Sequence, residues 1–227
     1  MNIYDFVSGP MVWISFGIFF LGILTRVIVY IRGLDWKLDR VTYSVNRMAG
    51  YKGAFRSIVT WLIPFGTRSW RSKPAFALTT LLFHLSLLTA PLFVKGHVYL
   101  VKERWGVSLR AIPDSVADAL TIVMMLSALI LLLRRISLPE VRILTTPHNL
   151  LVLLISVAPF ITGFLAHKQM GDYNFWLIAH IISGEIMLIS IPFTKLSHSI
   201  LFFLSRAQIG MDFGIKRGGM KNERMMW

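Results

Sequence analysis

The side chains able to do chemistry in this chain are its six histidines, His84, His97, His148, His167, His180 and His198, for there is no cysteine. Without thiols it forms no disulfide, ligates no iron–sulfur cluster through cysteine and carries no CxxCH-attached c-type haem. Any redox chemistry of its own must rest on histidine ligands and a noncovalently held cofactor. Four of the six lie two by two in long apolar segments, His84 with His97 and His180 with His198. An ionisable group at membrane depth is costly enough to raise a functional hypothesis by default. For a single histidine, packing with a hydrogen bond to nearby backbone is an equal alternative. Two pairs on two segments make that alternative much weaker.

The segments holding them have the character of membrane spans. Of the 227 residues, 55% are hydrophobic and 15% charged, a composition that a water-soluble surface does not tolerate. Apolar blocks long enough to cross a hydrocarbon core of about 30 Å run from about 11–31, 74–100, 116–133, 149–166 and 174–204. In lipid every backbone polar group must be satisfied internally, so these blocks are expected to be helices. The expected fold is therefore an all-α integral membrane protein, a five-transmembrane-helix bundle forming one domain over 1–227. Residues 1–10 lack the basic region and cleavage site of a secretory signal, so the first helix is expected to be retained.

Charge sets the expected orientation. The segment 32–73 alone carries Arg32, Lys37, Arg40, Arg47, Lys52, Arg56, Arg68, Arg71 and Lys73, and further basic residues follow the third and fifth blocks. The positive-inside rule then puts the N-terminus outside and the C-terminus in the cytoplasm, in a multi-pass protein of the cell's inner (cytoplasmic) membrane. The net charge of +13 sits beside helix ends, where cytoplasmic retention and anionic lipid headgroups account for it without nucleic acid.

With that topology the second and fifth helices are antiparallel, so the early histidine of one meets the late histidine of the other. His84 then pairs with His198 toward the cytoplasm, and His97 with His180 toward the outside. At 1.5 Å per residue the two spacings amount to roughly 20 and roughly 27 Å, a separation that suits two haem irons stacked across a membrane. Spacing across five whole turns predicts that His180 and His198 face one way, whereas His84 and His97 fall roughly 140° out of register on an ideal helix. Pro91 lies between them, and a kink or local unwinding there is the expected correction. An iron with two histidine ligands has no open position, which favours electron transfer over substrate activation.

The stretch AHIISGEIMLISIPFTKLSH, together with FH at 83 and 84, GH at 96 and 97, and VRILTTPHNLLVLL, resembles the gamma, cytochrome b subunit of respiratory nitrate reductase and its relatives. The resemblance covers all five helices. It implies two haem b groups, His84 and His198 ligating the inner and His97 and His180 the outer, and a menaquinone reacting near the outer haem. Wider spacing of the helix-two histidines and a longer first loop look more like the small cytochrome b subunits of the Hmc, Tmc and Dsr types in sulfate-reducing microbes. That branch implies a cytoplasmic partner resembling the iron–sulfur subunit of heterodisulfide reductase, a multihaem cytochrome c outside, and other membrane subunits. It makes the chain an electron-transfer subunit of an oxidoreductase complex in respiration.

Other residues have two readings each. Lys95 suits a hydrogen bond to a quinone oxygen and Gly96 a close approach beside His97, but lysines at helix ends also snorkel to the interface. Glu185 suits a proton acceptor from quinol, or a protonated acid bonded to a neighbouring hydroxyl or carbonyl. Arg26 and Lys195 suit the propionates of the inner haem, or snorkelling. His148, after Pro147, suits a surface or capping role, and His167 a solvated loop. The stretch AFRSIVTWLIPFGTRSW within 32–73 reads as an interfacial amphipathic segment, a landing surface for a cytoplasmic redox subunit, and 205–227 as a basic cytoplasmic tail. Two competing functions are a proton-conducting transporter, which lacks the expected inverted repeat, and a structural anchor, which leaves the histidine pairs unexplained.

Overall fold

The computed structural model describes residues 2–34 and 47–218. Among these the regular structure is helical: α1 (Ile3–Arg32), α2 (Arg47–Leu62), α3 (Arg68–Ser72), α4 (Pro74–Phe93), α5 (Lys95–Trp105), α6 (Asp114–Ser137), α7 (Pro139–Arg142), α8 (Pro147–His167), α9 (Tyr173–Phe193) and α10 (His198–Gly218). Five of them, α1, α4, α6, α8 and α9, are long and apolar enough to cross a membrane. Their large apolar side chains point outward, with Phe20, Leu88, Leu154 and Phe193 each more than half exposed. In water so much apolar surface would drive aggregation, whereas lipid tails solvate it. The chain is an all-α, multi-pass membrane protein.

Helix starts follow local chemistry. Thr67 caps α3 by accepting the Trp70 amide, Pro147 occupies the first turn of α8, and Pro113 precedes α6. The first span is longer than its apolar run, because residues 3–11 extend it through a turn of π-helix at Val7–Met11 that accommodates Pro10.

Two spans end sooner than their apolar runs. The block 74–100 is two helices, since Val94 is extended (φ −65°, ψ 139°) between α4 and α5. The break falls three residues after Pro91, whose missing N–H weakens the last turn of α4. The block 174–204 is also divided. Pro192 lies in the last turn of α9, and Thr194 is extended with its hydroxyl accepting the Leu196 amide. A single 3₁₀ turn, Lys195–Ser197, then leads into α10, of which His198 is the first residue. The five-turn argument for His180 and His198 therefore fails, because no continuous helix joins them.

The described chain forms two compact units. The first comprises the residues up to Ser15 with Leu78–Leu188, and the second Phe16–Ala77 with the residues from Ile189 on. The core of the first is a cluster of Phe83 and Ala90 from α4, Met124 and Ala128 from α6, and Val157 and Phe160 from α8. Trp13 meets Trp105 edge-on, and Arg104 donates to the Ser8 carbonyl at 2.5 Å, joining α5 to the start of α1.

In the second unit α2 packs on α10 through small residues. A Cβ added to Gly210 would lie 2.6 Å from Ser57 Cβ, and one added to Gly214 would lie 2.5 Å from the Ala49 carbonyl. Gly53 meets Gly210 backbone to backbone. Ala49, Gly53 and Ser57 recur every fourth residue, as do Gly210 and Gly214, the spacing that lets helix backbones approach in membranes. Arg206 stacks over the Trp61 ring at 4.6 Å, and Tyr30 on α1 hydrogen-bonds Gln208. Within the interfacial segment expected over 32–73 and the basic tail expected over 205–227, the described residues thus include two helices packed on each other. The opposite side of α2 does carry exposed Tyr51, Lys52, Phe55 and Arg56, the mixed surface expected of an interfacial segment. Lys37, Arg40, Lys221 and Arg224 lie outside the described residues.

Candidate functional site

Two of the four paired histidines meet within the first unit. His97, in the first turn of α5, and His180, in the second turn of α9, place their Nε2 atoms 3.4 Å apart with their rings 18° from parallel. The break at Val94 makes this possible. It ends the helical register that would have turned His97 away, and it leaves the Pro91 carbonyl among the orphan carbonyls of the α4 terminus. His97 Nδ1–H donates to that carbonyl at 2.7 Å.

His180 is anchored in the same manner from another helix. Its Nδ1–H donates to the Pro159 carbonyl of α8 at 2.8 Å. The imidazole reaches that carbonyl across Gly163, where an added Cβ would stand 2.8 Å from His180 Nδ1 and 2.9 Å from Cε1. Thr162 on α8 and Ser183 on α9 share a further hydrogen bond of 3.1 Å. One turn beyond His180 on the same face of α9, a Cβ at Gly184 would meet nothing within 4 Å, so that face is open.

Because carbonyls only accept, both Nδ1 atoms must carry protons, which leaves each Nε2 of a neutral ring with a bare lone pair. Two lone pairs converging at 3.4 Å repel unless an electrophile, a proton or a metal centre, lies between them. Donation of the remote ring nitrogen to a carbonyl is also the usual way a metal-ligating histidine is oriented and made more basic. The two imidazoles thus form a supported pair of nitrogen donors that could hold a metal centre.

His84 and His198 share that tautomer. His84 Nδ1 donates to the Thr80 carbonyl and His198 Nδ1 to the Lys195 carbonyl, each at 2.7 Å. His84 belongs to the first unit and His198 to the second. His148 is exposed at the start of α8. His167 lies at the end of α8, half-exposed, 3.5 Å from Asp118, which also pairs with Lys168.

The remaining candidates have specific surroundings. Lys95 Nζ forms an exposed ion pair with Asp114 at 2.7 Å, tying the start of α5 to the start of α6. Gly96 is exposed with nothing within 4 Å of an added Cβ, so close packing inside the chain does not require it. Arg26 Nε donates to the Pro192 carbonyl at 2.6 Å, satisfying the end of α9, and a Cβ on Gly22, one turn earlier, would clash with the Pro192 ring at 2.6 Å. Lys195 is exposed in the turn before His198 and supplies its carbonyl to that imidazole. Glu185 is buried in α9 with neither carboxyl oxygen hydrogen-bonded, so the alternative of an acid bonded to a nearby hydroxyl or carbonyl does not hold.

Gly163 and the α2–α10 contact escaped the reading of the sequence. Glycines every fourth residue at 210 and 214, facing the Ala49, Gly53, Ser57 series, were a readable signal for the contact. Nothing around Gly163 marks it as the neighbour of His180.

No protein-family profile matches the chain, and no solved structure matches it. Over 216 residues it is 54% identical to a protein of Nitratidesulfovibrio vulgaris strain Hildenborough, an alignment that covers 95% of this chain and 96% of that one.

Proposed function

The chain belongs to one family with the Nitratidesulfovibrio vulgaris protein, and we propose that it is a di-haem b membrane subunit of a respiratory redox complex, like the gamma subunit of nitrate reductase. The observation that carries this reading is the pair of Nε2 lone pairs of His97 and His180, facing each other at 3.4 Å with both Nδ1 protons held by backbone carbonyls. Small movements of the two rings would let their Nε2 atoms hold a haem iron between them. Among the described residues no three of His, Cys, Asp and Glu converge. A bare ion would find two protein ligands here, whereas a porphyrin brings the other four. The open face at Gly184 gives its plane room.

Haem held in this way supplies a one-electron iron couple with no open coordination position. The chain's part is to hold the rings. Pro91 and Pro159 fix the tautomers of His97 and His180, and Gly163 keeps α8 clear of the imidazole. The resemblance assigns the second group to His84 and His198, whose Nδ1 protons likewise rest on carbonyls.

Basic residues on one side support the N-terminus outside and the C-terminus in the cytoplasm, in the inner membrane. Electrons then pass between a menaquinone pool or periplasmic cytochrome c and a cytoplasmic iron–sulfur subunit of the heterodisulfide reductase kind. The relative's source, a sulfate reducer, supports that branch.

Reduced-minus-oxidised absorption spectra of the purified, haem-replete chain test the reading. It predicts b-type bands, while a proton-conducting transporter or a bare anchor gives none. Gly163→Ala is expected to weaken retention of one haem and to destabilise the protein by about 1–3 kcal/mol, the usual cost of overpacking. Haem content after detergent purification and the thermal midpoint read both effects, and normal haem content would remove Gly163 from the site. For the quinone, menaquinol-driven haem reduction should slow in Lys95→Ala or in Glu185→Gln. Unchanged rates in both would place quinone elsewhere.

A further inference from the structure

Some of the described buried serines satisfy themselves. Ser15 donates to the Met11 carbonyl and Ser156 to the Val152 carbonyl, each one turn back. Two buried groups of the first unit depart from this. Ser86 Oγ on α4, 1% exposed, has no hydrogen-bond partner, and neither has either carboxyl oxygen of Glu185 on α9, 3% exposed. Among the described buried polar residues Glu185 is the ionisable one, and it sits well inside a membrane span.

A carboxylate without a partner is far too costly in hydrocarbon to persist, so it must take a proton or have a positive charge nearby. Among the described residues no lysine, arginine or histidine nitrogen pairs with it. The titratable groups on the other long helices of its unit are His84 on α4, Lys95, His97, Tyr99, Lys102, Glu103 and Arg104 on α5, Asp114, Asp118, Arg134 and Arg135 on α6, and His148 and His167 at the ends of α8. Both aspartates already pair with lysines. His97 and His180 direct their Nε2 atoms at each other. Among the described residues none of these groups lies within hydrogen-bond or ion-pair distance of the Glu185 carboxyl oxygens.

We propose that Glu185 is a proton-binding site whose occupancy follows the redox state of the iron that His97 and His180 hold, an inference that rests on the haem reading. Five residues, about 7.5 Å of helix rise, separate Glu185 from His180, close enough for a change of charge to be felt in a low-dielectric interior. The oxidised iron–porphyrin core carries one net positive charge, which compensates a carboxylate; the reduced core carries none. When one electron arrives, from a quinol in the membrane or from dithionite in vitro, the Glu185 carboxylate takes one proton from water and becomes a carboxylic acid. One O–H bond forms, ferric iron becomes ferrous, and the interior gains no net charge.

The test is a reduced-minus-oxidised infrared spectrum of the haem-replete protein, with visible absorption recorded on the same sample. The expected result is a positive carboxylic C=O band on reduction that shifts in D₂O, is lost in Glu185→Gln and returns at a new frequency in Glu185→Asp. A haem-replete wild type without that band, or a band unchanged in Glu185→Gln, overturns the proton site and leaves the haem reading intact. Absence of haem bands from the wild type overturns the haem reading, and the coupling with it. Should Glu185→Gln fail to assemble, wild-type protein is treated with dicyclohexylcarbodiimide, which modifies protonated carboxyls in apolar surroundings. Mass spectrometry should find the Glu185 peptide labelled at least about tenfold faster in the reduced protein, a unit-scale shift in protonation. Equal labelling in both states overturns the proposal.

Discussion

Replacing His97 or His180 with alanine is expected to leave one haem per chain where two are expected of the unaltered protein, and the double replacement should lose no more than either single one. The two rings form one unit, facing at 3.4 Å and each locked by a carbonyl, so removing either takes away the whole pair and the effects do not add. Extracted haem measured against protein reads the outcome. His84→Ala and His198→Ala are expected to remove the other haem, identifiable because the spectrum that remains differs from that of His97→Ala. If His84→Ala and His198→Ala removed different haems, the assignment of those two residues to one group would be wrong.

Valine at Gly53 or Gly210 is expected to destabilise the second unit by about 3 kcal/mol or more, at or above the upper end of overpacking costs. At these positions the obstacle is backbone rather than a flexible side chain: Gly53 and Gly210 lie against each other's carbonyl oxygens, so nothing can rotate aside. The helices α2 and α10 would have to separate, exposing Ser57, which is fully buried without a hydrogen-bond partner. Thermal unfolding in detergent and protease cleavage between α2 and α3 report the loss. Gly17→Ala is the matched control, since an added Cβ there meets nothing within 4 Å. Alanine's better helix propensity should leave stability unchanged or raise it by up to about 1 kcal/mol. Equal melting of Gly53→Val and the unaltered protein would show that α2 does not depend on this contact.

What could be read beforehand follows from what each feature depends on. Membrane spans depend on runs of apolar residues, so α6 and α8 lie within two to four residues of their expected ends. Their limits extend slightly because Asp114 and Pro147 begin helices without being apolar. Breaks depend on a few backbone angles, and the apolar composition of 74–100 and 174–204 concealed those at Val94 and Thr194. The pairing of His97 with His180 was legible because it follows from helix direction alone. Of the kink or local unwinding expected at Pro91, the structure has the unwinding: the chain leaves the helix at Val94, and Pro91 contributes its carbonyl. His180 and His198 show the converse, where a sound periodicity argument was applied to a helix that does not run through. Lys95 and Arg26 suited either a ligand or snorkelling, and the partners they have in the fold, Asp114 and the Pro192 carbonyl, lie more than eighteen residues away in sequence and could not be read from spacing. Glu185 was visible as an acid in an apolar run, but that nothing bonds to it is a property of packing.

The central claim is that His97 and His180 are the two axial ligands of one haem iron. A structure of the haem-replete protein from its native membrane tests this most directly. The account predicts iron density between the two Nε2 atoms, with the rings parted beyond 3.4 Å and the Nδ1 bonds to Pro91 and Pro159 retained. Two rings still in contact, or a haem bound by other residues, would contradict it.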